Sequence, residues 1–178
     1  MGRASDIRLI VSDVDGVWTD GRIIYTGAAR ETKEFNVRDG LGAKLAQKAG
    51  IVVALVTSRQ SDAVERRARE LGITELRQGA SSKLEETERI ARKLGLSLDQ
   101  VLYVGDDLPD LGAMARVAIS AAPSDAAPEV LAAAAWKLSA AGGRGAFREL
   151  VERLLSERGE WDALVKEFIS GRPEAQSI

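Results

Sequence analysis

Ile7-Arg8-Leu9-Ile10-Val11-Ser12-Asp13-Val14-Asp15-Gly16 is an apolar run that ends on two carboxylates and a glycine. A short run of this kind reads as a strand buried on both faces, expected over 7–12, with Gly16 and Gly21 marking the turn behind it. Downstream, β-rich runs alternate with amphipathic stretches: strand 52–56, helix 62–71, strand 75–77, helix 84–94, strand 101–104, a helix running to 116 and strand 117–120. That alternation predicts an α/β fold, a doubly wound, Rossmann-like parallel sheet with helices on both faces. A further helix is expected over 41–49, with Asp39 near its N-cap and Gly50 as its stop. Gly72 and Gly95 stand where the next two helices need a C-cap. The arms 22–25 and 31–35, around Thr26-Gly27-Ala28-Ala29, read as a β-hairpin that interrupts the βαβ rhythm, an insertion over about 22–35. Phe147, Leu150, Val151, Leu154 and Leu155 recur at helical spacing, the short Ala132 to Ala135 run reads as plain helix, and 161–169 reads as a last helix. The chain is therefore expected to form one domain over 1–170, followed by an unstructured tail over 171–178.

The composition narrows the chemistry. The 178 residues carry a net charge of −2, are 45% hydrophobic and 29% charged, and include no histidine and no cysteine. These values match an ordinary soluble domain. The missing residue types exclude disulfides, thiolate nucleophiles, imidazole bases and His- or Cys-ligated zinc. The apolar runs 51–56 and 130–136 fall far short of the roughly 18 residues that span a bilayer. Without a signal-like core near the N-terminus, a cytoplasmic location is expected. A pI near 5.4 without a long basic run argues against a nucleic-acid partner.

Chemistry must then come from carboxylates, hydroxyls, amines and hard metal ions. Asp13 and Asp15 follow the first strand, at the sheet edge where open α/β folds bind ligands. Taken alone, Asp15-Gly16 also fits a simple turn, and a calcium loop is excluded because Val17 and Trp18 stand where it needs an oxygen ligand and a glycine. Two later strands end in Thr57-Ser58-Arg59 and in Gly105-Asp106-Asp107 with Asp110 beyond, and Lys83 opens a helix. Each of Thr57, Asp106 and Asp107 also fits a plain N-cap, but together they converge on one edge. Like charges about 4 Å apart cost roughly 4 kcal/mol per pair at an effective dielectric near 20, so Asp13, Asp106 and Asp107 call for a doubly positive ion. Oxygen-only ligands beside a phosphate site fit Mg²⁺. The Thr57 hydroxyl and the backbone N–H groups after it, at Ser58, suit phosphoryl oxygens, with Lys83 cancelling their charge. Asp13 as nucleophile and Asp15 as acid/base would complete phosphoryl transfer through an aspartyl phosphate, phosphomonoester hydrolysis being the simplest outcome.

Asp13-x-Asp15-Gly16-x-x-Thr19-Asp20-Gly21, Thr57-x-Arg59, Lys83 and Gly105-Asp106-Asp107-x-x-Asp110 resemble, in order, the four motifs of the haloacid dehalogenase superfamily of phosphatases. Glu34 to Gly40, Gln78-Gly79 and Ala141 to Ala146 are similar to its capless branch acting on sugar acid phosphates. The resemblance implies a haloacid dehalogenase-like fold, Asp13 as nucleophile, Asp15 as acid/base, Thr57 and Lys83 on the phosphoryl group, and Mg²⁺ held by Asp13, the Asp15 carbonyl and Asp106, with Asp107 close by. It also implies a homotetramer built on the hairpin, whose neighbouring subunit covers the active site, and a role in lipopolysaccharide synthesis. Arg59 and Arg67 are candidates for the substrate carboxylate, since a guanidinium matches it bidentately. Relatives acting on nine-carbon acids look acidic at the position of Arg59, which points this chain to an eight-carbon acid. Ser58 and Trp18 depart from the pattern and, placed near the phosphate end, would alter substrate fit. Two other classes fit less well: a phospho-accepting receiver domain, whose acidic pair is adjacent and whose acceptor lies on a later strand, and a non-catalytic assembly protein.

Overall fold

Leu9, Val11, Ala54, Val56, Val101 and Tyr103 are buried in one apolar cluster, while Ile10, Val53, Leu55, Leu102 and Val104 are buried in another. Alternation with a period of two puts the clusters on opposite faces of a sheet. The strands are β1 (Leu9–Ser12), the hairpin arms β2 (Ile24–Thr26) and β3 (Arg30–Thr32), β4 (Val52–Val56), β5 (Glu75–Arg77), β6 (Val101–Val104), β7 (Ile119–Ala122) and β8 (Trp136–Lys137). The main sheet runs β5-β4-β1-β6-β7-β8, all parallel, with Leu9 opposite both Val52 and Val101; β2 and β3 pair separately. The computed structural model describes residues 2–26 and 30–171, so Gly27 to Ala29 of the expected loop and nearly all of the expected tail, 172–178, lie outside the described residues, while Thr26 belongs to β2.

The helices are α1 (Val37–Lys48), α2 (Asp62–Leu71), α3 (Lys83–Lys93), α4 (Leu111–Met114), α5 (Pro128–Ala133), α6 (Ala146–Glu157) and α7 (Trp161–Ile169). Ala43 and Ala46 of α1, Val64 and Ala68 of α2, and Phe147, Leu150 and Leu154 of α6 cover one face; Ile90 of α3, Met114 of α4 and Val130 of α5 cover the other. The Val, Ile, Leu, Met and Phe side chains among these each contribute about 1.5–3 kcal/mol on burial. No helix among the described residues is long and apolar enough to cross a membrane.

The departures from expectation have physical causes. Helix α1 starts four residues early because Asn36, not Asp39, is its N-cap and accepts from the Arg38 N–H at 2.9 Å. Asp39 is instead buried in the first turn and accepts from the backbone N–H groups of Gly145 (3.2 Å) and Arg148 (2.9 Å), capping α6 across the core. Burial pushes its carboxyl up, and those donors pull it back. Strand β7 lies two residues beyond 117–120, because its pairing to β6 puts Leu102 opposite Ile119 and uses two small, buried alanines that carry little strand propensity. The helix expected to reach Arg116 is a 3₁₀ turn at Leu108–Asp110 followed by the single turn of α4. Ala134 is extended, so the alanine run leaves the helix and leads into β8, a strand too short to show a pattern.

Trp18 is also placed differently. It is 1% exposed, donates from its indole N–H to Ser12 Oγ at 3.0 Å and lies 4.3 Å centroid to centroid from Phe147. It is a core residue, so it does not shape substrate fit by contact. The glycine pair of Ala141 to Ala146 packs against the loop after β1. A Cβ on Gly142 would stand 2.0 Å from the Gly16 carbonyl oxygen, while the neighbouring Gly143 N–H donates to the Val17 carbonyl at 2.9 Å. Gly142→Ala is expected to lower unfolding stability by about 1–3 kcal/mol, the usual range for overpacking. A urea midpoint equal to the parent's would show that the two loops can part without cost.

Candidate active site

Four connections at the carboxyl edge of the sheet converge. Asp13 leaves the end of β1 with its N–H on the Val104 carbonyl at 3.0 Å, and is 5% exposed. Thr57 follows β4, Lys83 opens α3, and Asp106 follows β6. The Lys83 ammonium lies 2.8 Å from Asp13 Oδ2 and 2.7 Å from Asp110 Oδ1. Oxygens of Asp13, Asp106 and Asp110 lie within 4.8 Å of one another, the group of acidic side chains among the described residues able to hold a cation.

Asp110 is the organising residue that sequence reasoning noted without giving it a role. One oxygen accepts from Lys83 Nζ and from the Tyr103 hydroxyl, both at 2.7 Å, and the other from the Asp106 and Asp107 N–H groups at 3.0 and 3.2 Å. Four donors fill the roughly four acceptor sites of a carboxylate, so Asp110 orients the loop and has none left for an ion. Asp106 differs: its Oδ1 is buried with no hydrogen-bond partner. Asp107, expected near the ion, is exposed and instead caps the following turn, accepting from the Leu108 N–H at 2.8 Å. The Asp107 side chain, expected at the ion, is therefore not brought to the group that Asp13 and Asp106 form.

Electrostatics within this group follow from its burial. Burial first, then the Asp110 charge, pushes the Asp13 carboxyl up against the pull of Lys83; burial first, then Asp13 and Asp110, pushes Asp106 up. Burial opposes the Lys83 ammonium, but Asp13 and Asp110 outweigh it and its pKa is raised. Lys83 alone thus leaves the carboxylates under-neutralised, and the unpartnered Asp106 oxygen fits a hard dication. Gly16 makes the approach feasible, because at φ +89° a Cβ there would stand 1.9 Å from Asp106 Oδ2.

Asp15 lies just outside this group. Thr57 Oγ1 approaches its Oδ2 at 3.4 Å, and the Lys33 ammonium contacts its Oδ1. Thr57 also accepts from the Arg59 N–H at 3.2 Å, and Ser58 is exposed on the same loop. Arg59 pairs with Glu31 at 2.7 Å, and Glu31 lines an open cleft of about 740 Å³ together with Tyr25, Gln60, Ser61, Asp62, Glu65 and Gln78. Neither Arg59 nor Arg67 is among the residues lining that cleft; Arg67 pairs with Glu70 at 3.3 Å and packs against Gly40 of α1. Glu31 and Lys33 were missed. Their signal was present, since two charged residues spaced i, i+2 on an extended arm share a face.

This geometry has known counterparts. Residues 36–118 match the model of the haloacid dehalogenase-like hydrolases. The chain is 44% identical over 162 residues, 91% of its length and 86% of the other's, to the 3-deoxy-D-manno-octulosonate 8-phosphate phosphatase of Escherichia coli strain B. The crystal structure of the enzyme of that name from Yersinia pestis superposes with a TM-score of 0.88 at 42% identity, covering 90% of this chain and 86% of that one. The Moraxella catarrhalis structure, solved with magnesium, phosphate and KDO, superposes with a TM-score of 0.90 at 39% identity over 93% and 95% of the two chains. Fold and identity over nearly the whole length agree, and the chain belongs to the 3-deoxy-D-manno-octulosonate 8-phosphate phosphatase family of haloacid dehalogenase-like hydrolases.

Proposed function

We propose that this chain is a Mg²⁺-dependent phosphomonoesterase that hydrolyses 3-deoxy-D-manno-octulosonate 8-phosphate to the free sugar acid and phosphate in lipopolysaccharide synthesis. The observation that carries the reading is the buried Asp13–Lys83–Asp110 ion pair set beside an Asp106 oxygen with no partner. Asp13, the Asp15 carbonyl and Asp106 would hold Mg²⁺, which when bound supplies charge neutralisation for the phosphoryl oxygens.

The chain's own residues account for the rest. An Asp13 carboxylate oxygen attacks phosphorus, the bond from phosphorus to the sugar oxygen breaks, and Asp15 donates its proton to that oxygen. Asp15 then takes a proton from the water that attacks the aspartyl phosphate, releasing phosphate and restoring Asp13. Lys83 spends two N–H groups on Asp13 and Asp110, which leaves one for a phosphoryl oxygen. The Thr57 hydroxyl and the Ser58 N–H supply the neighbouring donors. Arg59, on the Thr57 loop and held by the cleft residue Glu31, takes the substrate carboxylate in exchange for Glu31; Arg67, held against α1, is given no substrate role within one chain.

Residues 1–170 are proposed as one catalytic domain, in a homotetramer whose hairpin lies at the subunit interface. Ile23, Tyr25 and Val37, exposed at 49%, 69% and 77%, support that placement. A cytoplasmic location belongs to the same proposal. Phosphate release from the eight-carbon 8-phosphate, a nine-carbon sugar acid 9-phosphate and simple sugar phosphates, with and without Mg²⁺, tests the activity. Preference for the eight-carbon acid is expected, and Arg59→Ala is expected to raise its KM roughly 10- to 150-fold, the equivalent of about 1.5–3 kcal/mol for a charged hydrogen bond. Preference for the nine-carbon acid would keep the chemistry and reassign the substrate.

A further inference from the structure

Lys33 is the least expected cation in the molecule. It lies just beyond β3, in the inserted hairpin, yet its side chain is only 1% exposed. Burying an ammonium is costly unless it is fully paired. Both of its partners are carboxylates: Glu31 on the same arm at 2.6 Å, and Asp15 on the loop after β1. Glu31 is itself held by Arg59 at 2.7 Å, from the loop after β4. The four side chains alternate in sign, from Arg59 through Glu31 and Lys33 to Asp15.

The contacts on Asp15 fall on different oxygens. Thr57 approaches one carboxyl oxygen and Lys33 contacts the other. Two contacts on two oxygens define the orientation of a carboxyl group that one contact would leave free to turn. Misplacing a reacting group by about 1 Å can cost on the order of a hundredfold in rate. We propose that Lys33, braced by Glu31, is the positioning residue for the Asp15 carboxyl, so that the hairpin supplies part of its own subunit's catalytic machinery. The inference rests on the assignment of Asp15 as acid/base made above. Through Glu31, the same chain of contacts ties the hairpin to Arg59, the residue placed on the substrate carboxylate.

The competing reading is that the buried pair only anchors the hairpin to the body of the domain. A double-mutant cycle on the full chain with Mg²⁺ separates the two, because a residue acting through Asp15 has nothing left to contribute once Asp15 is disabled. Lys33→Met is expected to lower kcat for the eight-carbon 8-phosphate about 10- to 100-fold, with KM within about twofold, as part of the 10²–10⁴ that general acid–base catalysis typically supplies. In an Asp15→Asn background the same change is expected to cost less than about twofold. p-Nitrophenyl phosphate, whose leaving group departs without a proton, should lose less than the sugar phosphate in Lys33→Met. Equal losses in both backgrounds, or an unchanged kcat in Lys33→Met, would overturn the proposal. If Lys33→Met does not fold, the kcat of Glu31→Gln is read by the same criterion. A parent chain inactive on the eight-carbon acid sinks the substrate assignment alone, and the cycle is then run on whichever alkyl phosphate it does hydrolyse.

Discussion

Asp13→Asn is expected to reduce phosphate release by on the order of 10⁴-fold or more, the scale on which removing a covalent nucleophile acts. The amide keeps the size of the side chain and one oxygen, but it cannot form the acyl phosphate. Fold loss is not the expected cause. The change removes one of the carboxylates that repel each other at the site, so the metal-free variant should melt no lower than the parent even though Lys83 loses a charged partner and keeps Asp110. Rapid-quench labelling with a ³²P-phosphate ester should show a phosphoenzyme in the parent and none in the variant. Ordinary turnover by Asp13→Asn would remove the nucleophile assignment and with it the whole chemical reading.

Removing Mg²⁺ is expected to abolish turnover and to make stability depend on pH in a specific direction. In the metal-free protein Asp13 is pushed up to about 6 and Asp106 to about 8, from an ordinary value of 3.8, with burial as the first cause and neighbouring carboxylates as the second. The folded chain then binds more protons than the unfolded chain between about pH 4 and 8, so the stability of the metal-free protein falls as pH rises through that window. Mg²⁺ takes the place of those protons, so its stabilising effect grows across the same window. At a hundredfold excess over Kd it is worth about 2.7 kcal/mol, or roughly 5–10 °C in Tm for a chain of this size. Differential scanning fluorimetry at several pH values, with EDTA or with Mg²⁺, measures both slopes. A Mg²⁺ shift that does not depend on pH would mean that the ion does not sit among the carboxylates at all.

Local pattern carried most of the architecture. Strands β4, β5 and β6 and helices α2 and α7 occupy the residues that periodicity and glycine punctuation predict, because a buried strand or an amphipathic helix writes its period into consecutive residues. The order of Asp13, Asp15, Thr57, Lys83 and Asp106 along the chain placed each at a strand end or a helix start, and parallel topology then brings those ends to one edge. The absence of histidine and cysteine left carboxylates and a hard cation as the means of catalysis before any geometry was known.

What only the tertiary structure decided was which polar group meets which. Asp106 and Asp107 are neighbours of the same residue type, but backbone direction turns one into the cluster and the other to the N–H of Leu108. Asp39 looks like a local cap and serves a helix more than a hundred residues later. Trp18 reads as a site substitution and is a core residue against Phe147. Lys33, in the hairpin, is sealed against Asp15, 18 residues away in sequence. Periodicity records the contacts a residue makes within its own element, whereas a buried ion pair or a long-range cap depends on where two distant elements are brought together, and nothing in either segment alone records that meeting.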